Sequence, residues 1–286
     1  MIIYRRKEIK QEQFGDGTLK AIVPENLLKK YTKFNFSFFG NSSDEETITW
    51  CYDNDAELFT LRCLVDTIRE VKGISTVINL QMPYIPHARQ DRKVSDRFFT
   101  LKSFARMIND MNFNQVIVLD PHSDVSTALI DRCNEESKLI SFYHFEEGTV
   151  FMYPDAGAAK KYNASGEDII GNKKRNSEGR IVEYELLNFK EGTEKVVIVD
   201  DICSYGGTFV AAAKALREKG VKIISLMVSH CEDNIMKGDV FNYIDHVYTT
   251  DSICHLKETG QLHFCKNLTW RELDEDDTDV EGKETH

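Results

Sequence analysis

The chain has 286 residues, 41% of them hydrophobic and 29% charged, with 16 glycines and only 5 prolines. That composition excludes a collagen-like or low-complexity chain and leaves ample apolar material for a core, in two ordinary domains or one large one. A net charge of −11 argues against nonspecific binding to a nucleic-acid backbone.

The charge is uneven. Residues 271–286 hold eight acids against Arg271 and Lys283, a net −6, so the other 270 residues carry −5 of the −11. This end reads as a solvated acidic tail. No apolar run approaches the roughly 18 residues of a membrane span. The start, MIIYRRKEIKQEQ, has no signal-peptide core or small-residue cleavage site. Seven cysteines form no C-x-x-C pair and their number is odd, so neither zinc spacing nor a disulfide framework is expected. A reduced, cytoplasmic protein without membrane or nucleic-acid partners follows.

Along the chain, short apolar runs alternate with helical periodicity, which predicts an α/β fold. Asn54 with Glu57 opens a helix whose apolar positions Leu58, Leu61, Leu64, Val65, Ile68 and Val71 recur until Gly73. The strand STVINLQM, the irregular segment PYIPHARQDRKVSDR, a helix near 100–110, the strand QVIVLD and a short helix after PHSD follow. The second half repeats the scheme: strand TVFMYPD, helix DAGAAKKY, a polar mobile loop GNKKRNSEGR, strand KVVIVDD, glycine loop ICSYGGT, and a helix from Phe209 to Lys219 closed by Gly220. KIISLMVSH and DHVYTT add two strands. The expected organisation is an N-terminal α/β domain over 1–141, a second over 142–270, and the tail over 271–286.

Three apolar strands run into Asp120, Asp155 and Asp200–Asp201, each before a loop and helix. The carboxyl ends of parallel strands line the ligand crevice. One such aspartate reads as a helix cap; three, with His122 nearby in sequence, point to a metal or ribose site. The strongest segment is VVIVDDICSYGGT. Its Gly206, Gly207 and Thr208 precede a helix, where backbone N–H groups and the dipole receive a phosphate. Carboxylates beside a phosphate cradle repel phosphate, yet they suit the two hydroxyls of a phosphorylated ribose.

This segment resembles the phosphoribosyl diphosphate motif of the type I phosphoribosyltransferase fold. MPYIPHARQDRK is similar to the P-Y-x-x-Y-A-R-Q-D-R-K signature of ribose-phosphate pyrophosphokinases. LDPHSD, YPDAG, NKKR and FGDGT resemble that family's metal, S-P-D-x-G, D-K-R-R and F-x-D/N-G-E segments, in the family's order from about Phe14 to Asp251. The chain is thereby identified as a short divergent member of the ribose-phosphate pyrophosphokinase family, of a kind also found in viruses. The resemblance implies two similar phosphoribosyltransferase-like domains, each a mainly parallel sheet flanked by helices. It implies transfer of the β,γ-diphosphate of Mg-ATP to the anomeric hydroxyl of a ribose phosphate, with release of AMP. It assigns Lys173 and Arg175, with Lys174 beside them, to the diphosphate in flight, and His122 and Asp155 to Mg²⁺. His122 also belongs to the catalytic and ATP-binding set. Asp200, Asp201, Ser204, Tyr205, Gly206, Gly207 and Thr208 fall to the ribose hydroxyls and 5′-phosphate. Arg89, Gln90, Asp91 and Arg92, followed by Lys93, fall to ATP, with Arg89 clamping phosphates or stacking on adenine. Phe14 and Asp16 fall to the adenine side supplied by a neighbouring subunit. A homo-oligomer, dimer or hexamer, is implied.

Departures carry their own expectations. The loop motif normally reads D-D-x-x-D-T-G/A-G-T, and here Ser204 and Tyr205 stand at its third Asp and following Thr. Tyrosine is larger and brings an aromatic face, so the acceptor is either ribose 5-phosphate or a substituted phosphate such as ADP-ribose, the latter serving NAD⁺ resynthesis. His87 occupies a Tyr or Gly position, and Thr18 replaces a Glu. Phe14 also stands earlier than its family counterpart, in a region tied to assembly and regulation. A phosphoribosyltransferase would need neither YIPHARQDRK nor His122, and a non-catalytic homologue would not need the loop cations.

Overall fold

The computed structural model describes residues 1–23, 45–136, 138–175 and 181–271. The acidic stretch beyond Arg271 and the 176–180 part of the predicted loop lie outside them. The described residues divide into two units, those within 1–136 together with Trp270 and Arg271, and those within 138–269. This division falls at Glu136/Ser137, set against an expected 141/142, because Leu139–Phe142 forms a 3-10 turn on the second unit's sheet.

The first unit runs β1 (Ile2–Tyr4), β2 (Lys7–Glu8), β3 (Lys10–Gln13), β4 (Leu19–Ile22), β5 (Glu45–Trp50), α1 (Glu57–Lys72), β6 (Val77–Gln81), α2 (Thr100–Asn109), β7 (Gln115–Leu119), α3 (Asp124–Leu129) and β8 (Cys133–Glu136). Its six-stranded sheet has the order β2-β1-β5-β6-β7-β8, parallel from β5 to β8. Helix α1 forms where the apolar spacing predicts it, burying Leu61, Leu64, Val65 and Ile68. Glu57 accepts the Asp53 amide at 2.9 Å and the buried Trp50 indole at 2.9 Å, which ties the helix start to the end of β5. Gly73, at φ 120°, ends the helix in a conformation that side chains resist. The strands β1 to β4 are two to four residues long, too short for a periodicity reading, although Ile2, Ile3 and Tyr4 of β1 are buried in the core. The ribbon of β3 and β4 stands apart as a two-stranded sheet.

The second unit runs β9 (Thr149–Tyr153), α4 (Ala156–Lys161), β10 (Ile169–Arg175), β11 (Ile181–Leu187), β12 (Lys195–Cys203), α5 (Gly207–Glu218), β13 (Ile223–Cys231), a 3-10 turn at Asp233–Lys237, α6 (Val240–Tyr243), β14 (His246–Thr249) and β15 (Leu262–Phe264). Its sheet has the order β11-β10-β9-β12-β13-β14-β15, and only the β10–β11 pair is antiparallel. The central strands β12 and β13 read as near-continuous apolar runs because both their faces are covered. Ile198 and Leu226 are fully buried there, and truncating either to alanine costs about 2–5 kcal/mol.

Two sequence expectations are corrected. Gly171–Arg175, read as part of a mobile loop, is an arm of a β-hairpin. The antiparallel strand Ile181–Leu187 satisfies its backbone, so its polar residues need no core of their own. Asp200 and Asp201 do not end their strand. β12 continues to Cys203, with Ile202 and Cys203 paired to His230 and Cys231, and the glycine loop shrinks to Ser204–Gly206. Among the described residues no helix is long and apolar enough to cross a membrane.

Candidate active site

In the second unit, the turn from β12 to α5 builds the phosphate loop. Gly206 holds φ 77°, and a Cβ there would lie 2.1 Å from Val240 Cγ2, so both conformation and space require glycine. Its carbonyl accepts the Val210 amide at 2.9 Å, which starts α5 and leaves the amides of the turn at the helix entrance. Tyr205 is 55% exposed. Asp200 and Asp201 alternate across the strand. Asp201 is buried with Lys161 Nζ 4.0 Å away, and its amide donates to Asp200 Oδ1 at 2.9 Å. Burial first, and then the Asp201 charge, push the Asp200 carboxyl well above the usual carboxylate range.

An open cavity of about 710 Å³ follows this corner, lined by Lys173, Asp200, Ser204, Tyr205 and Thr208 and reaching Lys214 on the second turn of α5. Lys173 enters from β10 and pairs with Asp155 Oδ2 at 2.8 Å. Asp155 Oδ1 caps α4 by accepting the Ala158 amide at 3.0 Å. Burial raises the Asp155 carboxyl, but Lys173 and the Ala158 amide outweigh it and hold the group below the usual range. Tyr184 on β11 donates to the Pro154 carbonyl at 3.0 Å, and a Cβ on Gly171 would meet its hydroxyl at 2.2 Å. The phenol thus pins the hairpin to the Pro154–Asp155 corner and aims Lys173. The backbones of Lys174 and Arg175 continue β10, opposite Glu183 and Ile181.

The first unit gathers the other motifs. Met82 donates to Ile117 at 2.8 Å and Leu119 to the Pro83 carbonyl at 2.9 Å, so the P-Y-I-P-H-A-R-Q-D-R-K segment starts against the end of β7. Asp120 follows with φ 41° and no exposure, and His122 is exposed just beyond it. A non-glycine residue held at positive φ beside such a motif is stored strain of the kind found at functional turns. His87 also has positive φ. Its Nε2 lies 3.0 Å from Asp55 Oδ1, and it carries the turn that presents Arg89 and Gln90 at the surface. Thr100 fixes Gln90 by donating to its side-chain oxygen at 2.8 Å. Asp91, Arg92 and Lys93 continue this surface segment. Phe14 and Asp16 form the tip of the β3–β4 ribbon, where Asp16 accepts the Thr18 amide and hydroxyl at 2.9 and 2.7 Å and Phe14 is 56% exposed.

The structure therefore brings together Lys173, Asp155, Asp200 and the 204–208 loop in one unit, and Pro83–Lys93 with Asp120 and His122 in the other. Sequence reading missed Lys161, Tyr184, Lys214 and Glu232. Only Lys214 left a signal, seven residues beyond Gly207 and so on the same helix face. Among the described residues no three His, Cys, Asp or Glu side chains are arranged to enclose a metal. Mg²⁺ is commonly held by one or two carboxylates plus waters and substrate phosphates, so a partly exposed carboxylate such as Asp155 fits and a protein-only cage is not needed.

The phosphoribosyl transferase domain family matches residues 154–253, which places the second unit in that fold class. Ribose-phosphate pyrophosphokinase of Vibrio vulnificus strain YJ016 is 30% identical over 276 residues, 90% of this chain and 82% of the relative. The enzyme of that name from Campylobacter jejuni is 28% identical, covering 85% of this chain and 78% of the relative, and that of Saccharolobus solfataricus is 26% identical, covering 78% and 76%. The crystal structure of phosphoribosylpyrophosphate synthetase from Mycobacterium smegmatis superposes with a TM-score of 0.66 at 17% identity, over 90% of this chain and 85% of that one, a likeness of fold. The chain belongs to the ribose-phosphate pyrophosphokinase family and is a diphosphotransferase of that type.

Proposed function

We propose that the protein transfers the β,γ-diphosphate of ATP to the anomeric hydroxyl of a ribose phosphate. The observation that carries this reading is the cavity in which Asp200, the 204–208 loop and Lys173 meet. The anomeric oxygen attacks the β-phosphorus. The bond from that phosphorus to the α,β-bridging oxygen breaks, AMP departs with the electron pair, and the hydroxyl proton passes to water. Asp200, which lines the cavity, orients the ribose hydroxyls as a hydrogen-bond acceptor and holds the attacking oxygen in line. Asp201, expected to share that role, faces Lys161 on the other side of the strand. Backbone amides of 205–208 and the Thr208 hydroxyl receive the 5′-phosphate. Lys173, with Arg175 following it on β10, neutralises charge that grows on the moving diphosphate. Arg89, Gln90, Asp91 and Arg92 hold the nucleotide, and Phe14 and Asp16 close the adenine side of a second copy in a homo-oligomer. Asp155 and His122, each on its own unit, are the residues that would hold Mg²⁺, which when bound would neutralise the clustered phosphate oxygens.

Ribose 5-phosphate is the acceptor in the first reading. A second reading, ADP-ribose, is favoured by Tyr205, whose half-exposed ring fills the place of a threonine, and by the reach of the cavity to Lys214. A diphosphate-bridged acceptor would offer a second phosphate to that lysine and a base to that ring. Measuring AMP release from Mg-ATP with each acceptor separately tests both. Turnover with ribose 5-phosphate alone overturns the second reading, turnover with ADP-ribose alone overturns the first, and no turnover with either overturns the shared chemistry.

A further inference from the structure

The phosphate loop is met from outside its own strand by a carboxylate that lies in none of the motifs. Glu232 follows the end of β13 and donates its amide to the Cys203 carbonyl at 2.8 Å. Its Oε2 accepts the Ser204 hydroxyl at 2.5 Å and the Asn234 side-chain amide at 3.3 Å. An O–H to carboxylate bond of that length is charge-assisted and directional. The segment after Glu232 then seats the rest of the loop. A Cβ on Gly238 would lie 2.0 Å from the Tyr205 carbonyl, and Val240 packs against Gly206 with no room for a side chain there. Residues 232–240 form the backing against which Ser204, Tyr205 and Gly206 take their shape.

We infer that Glu232 is a positioning residue for the phosphate loop, and that the Ser204–Glu232 pair supplies through space the carboxylate that the related motif carries at position 204. The role as a loop for the acceptor's phosphate rests on the function proposed above. The Ser204 proton is committed to Glu232, so the side chain of Ser204 holds one rotamer and fixes the peptide that leads into Tyr205 and Gly206. Removing either partner frees the same peptide, and the two residues therefore act as one unit.

Steady-state AMP release at saturating Mg-ATP, with ribose 5-phosphate or ADP-ribose varied, tests the pair. Glu232→Ala and Ser204→Ala should each raise the acceptor KM about tenfold, the factor that one lost hydrogen bond of about 1.4 kcal/mol corresponds to, while the KM for ATP holds. Glu232→Gln, which keeps an acceptor oxygen, should recover most of the loss. The double alanine variant should be no worse than either single one, since coupled residues are non-additive. Exchanging the groups, Ser204→Asp with Glu232→Ser, should recover activity that Ser204→Asp alone loses to carboxylate repulsion. An unchanged acceptor KM in Glu232→Ala, or losses that add in the double variant, would overturn the inference. Amide hydrogen exchange at 205–207 without substrate reads the loop independently of the reaction. Equal acceleration in both single variants supports the pair even if wild type releases no AMP, and unchanged exchange in Glu232→Ala overturns it.

Discussion

Lys173 Nζ stands 2.8 Å from Asp155 Oδ2, so the cation assigned to the moving diphosphate is partnered by the carboxylate assigned to Mg²⁺. The pair joins β10 to the cap of α4 and keeps each charge compensated before substrate arrives. Incoming phosphates and metal would exchange partners with it, and neither group would then enter the site uncompensated.

Lys173→Ala should therefore lower kcat about 10²- to 10³-fold, the scale of losing one preorganised donor to developing charge. The acceptor KM should change much less, since Asp200 and the loop remain. Single-turnover measurements separate the two effects. A variant with wild-type kcat would remove Lys173 from the chemistry.

Asp200 ties function to a stability cost. Its carboxyl sits well above the ordinary value of 3.8, through burial first and the neighbouring Asp201 second. The folded chain consequently holds this proton more tightly than the unfolded chain does. Stability falls as pH rises from the unfolded value through the folded one, and the cost is complete above it. Asp200→Asn should raise Tm at about pH 8, and the advantage should shrink as the pH falls towards 3.8. The same substitution should abolish turnover. A variant less stable than wild type at alkaline pH would contradict the assigned strain.

Gly171 leaves no room for a side chain on the β10 arm. A Cβ there would lie 2.2 Å from the Tyr184 hydroxyl and 2.7 Å from the Pro154 carbonyl. Gly171→Ala should cost about 1–3 kcal/mol, as overpacking does, and should reduce kcat by lifting Lys173 from its corner. Tyr184→Phe, which removes only the hydrogen bond to Pro154, should cost about 1 kcal/mol. Denaturant unfolding compared with kcat checks both variants.

Tyr205 is the residue to change for acceptor choice. Tyr205→Thr restores the related motif and should shift kcat/KM towards ribose 5-phosphate relative to ADP-ribose. Competition between the two acceptors in one reaction reads the ratio. An unchanged ratio would leave the aromatic ring without a part in selection.

Much of this was legible in the residues. The α1 stripe, the parallel strands and the carboxylates before helix starts follow from local periodicity and caps, which act over a few residues. The hairpin was not legible, because Gly171–Arg175 owes its extended form to Ile181–Leu187 and to a phenol reaching back to Pro154. The extension of β12 past Asp201 was hidden for a similar reason, since its last rungs depend on β13. Glu232 was invisible because its contact with Ser204 spans 28 positions and no spacing rule connects them. Long-range pairing, which local pattern does not encode, accounts for these differences.

Transfer of an intact diphosphate is read from the fate of label in [γ-³²P]ATP and [α-³²P]ATP. With Mg²⁺ and an accepted ribose phosphate, the γ label should move wholly into the acceptor product while the α label appears in AMP. Formation of ADP, or of labelled inorganic phosphate without a labelled acceptor product, would rule out transfer of the intact diphosphate.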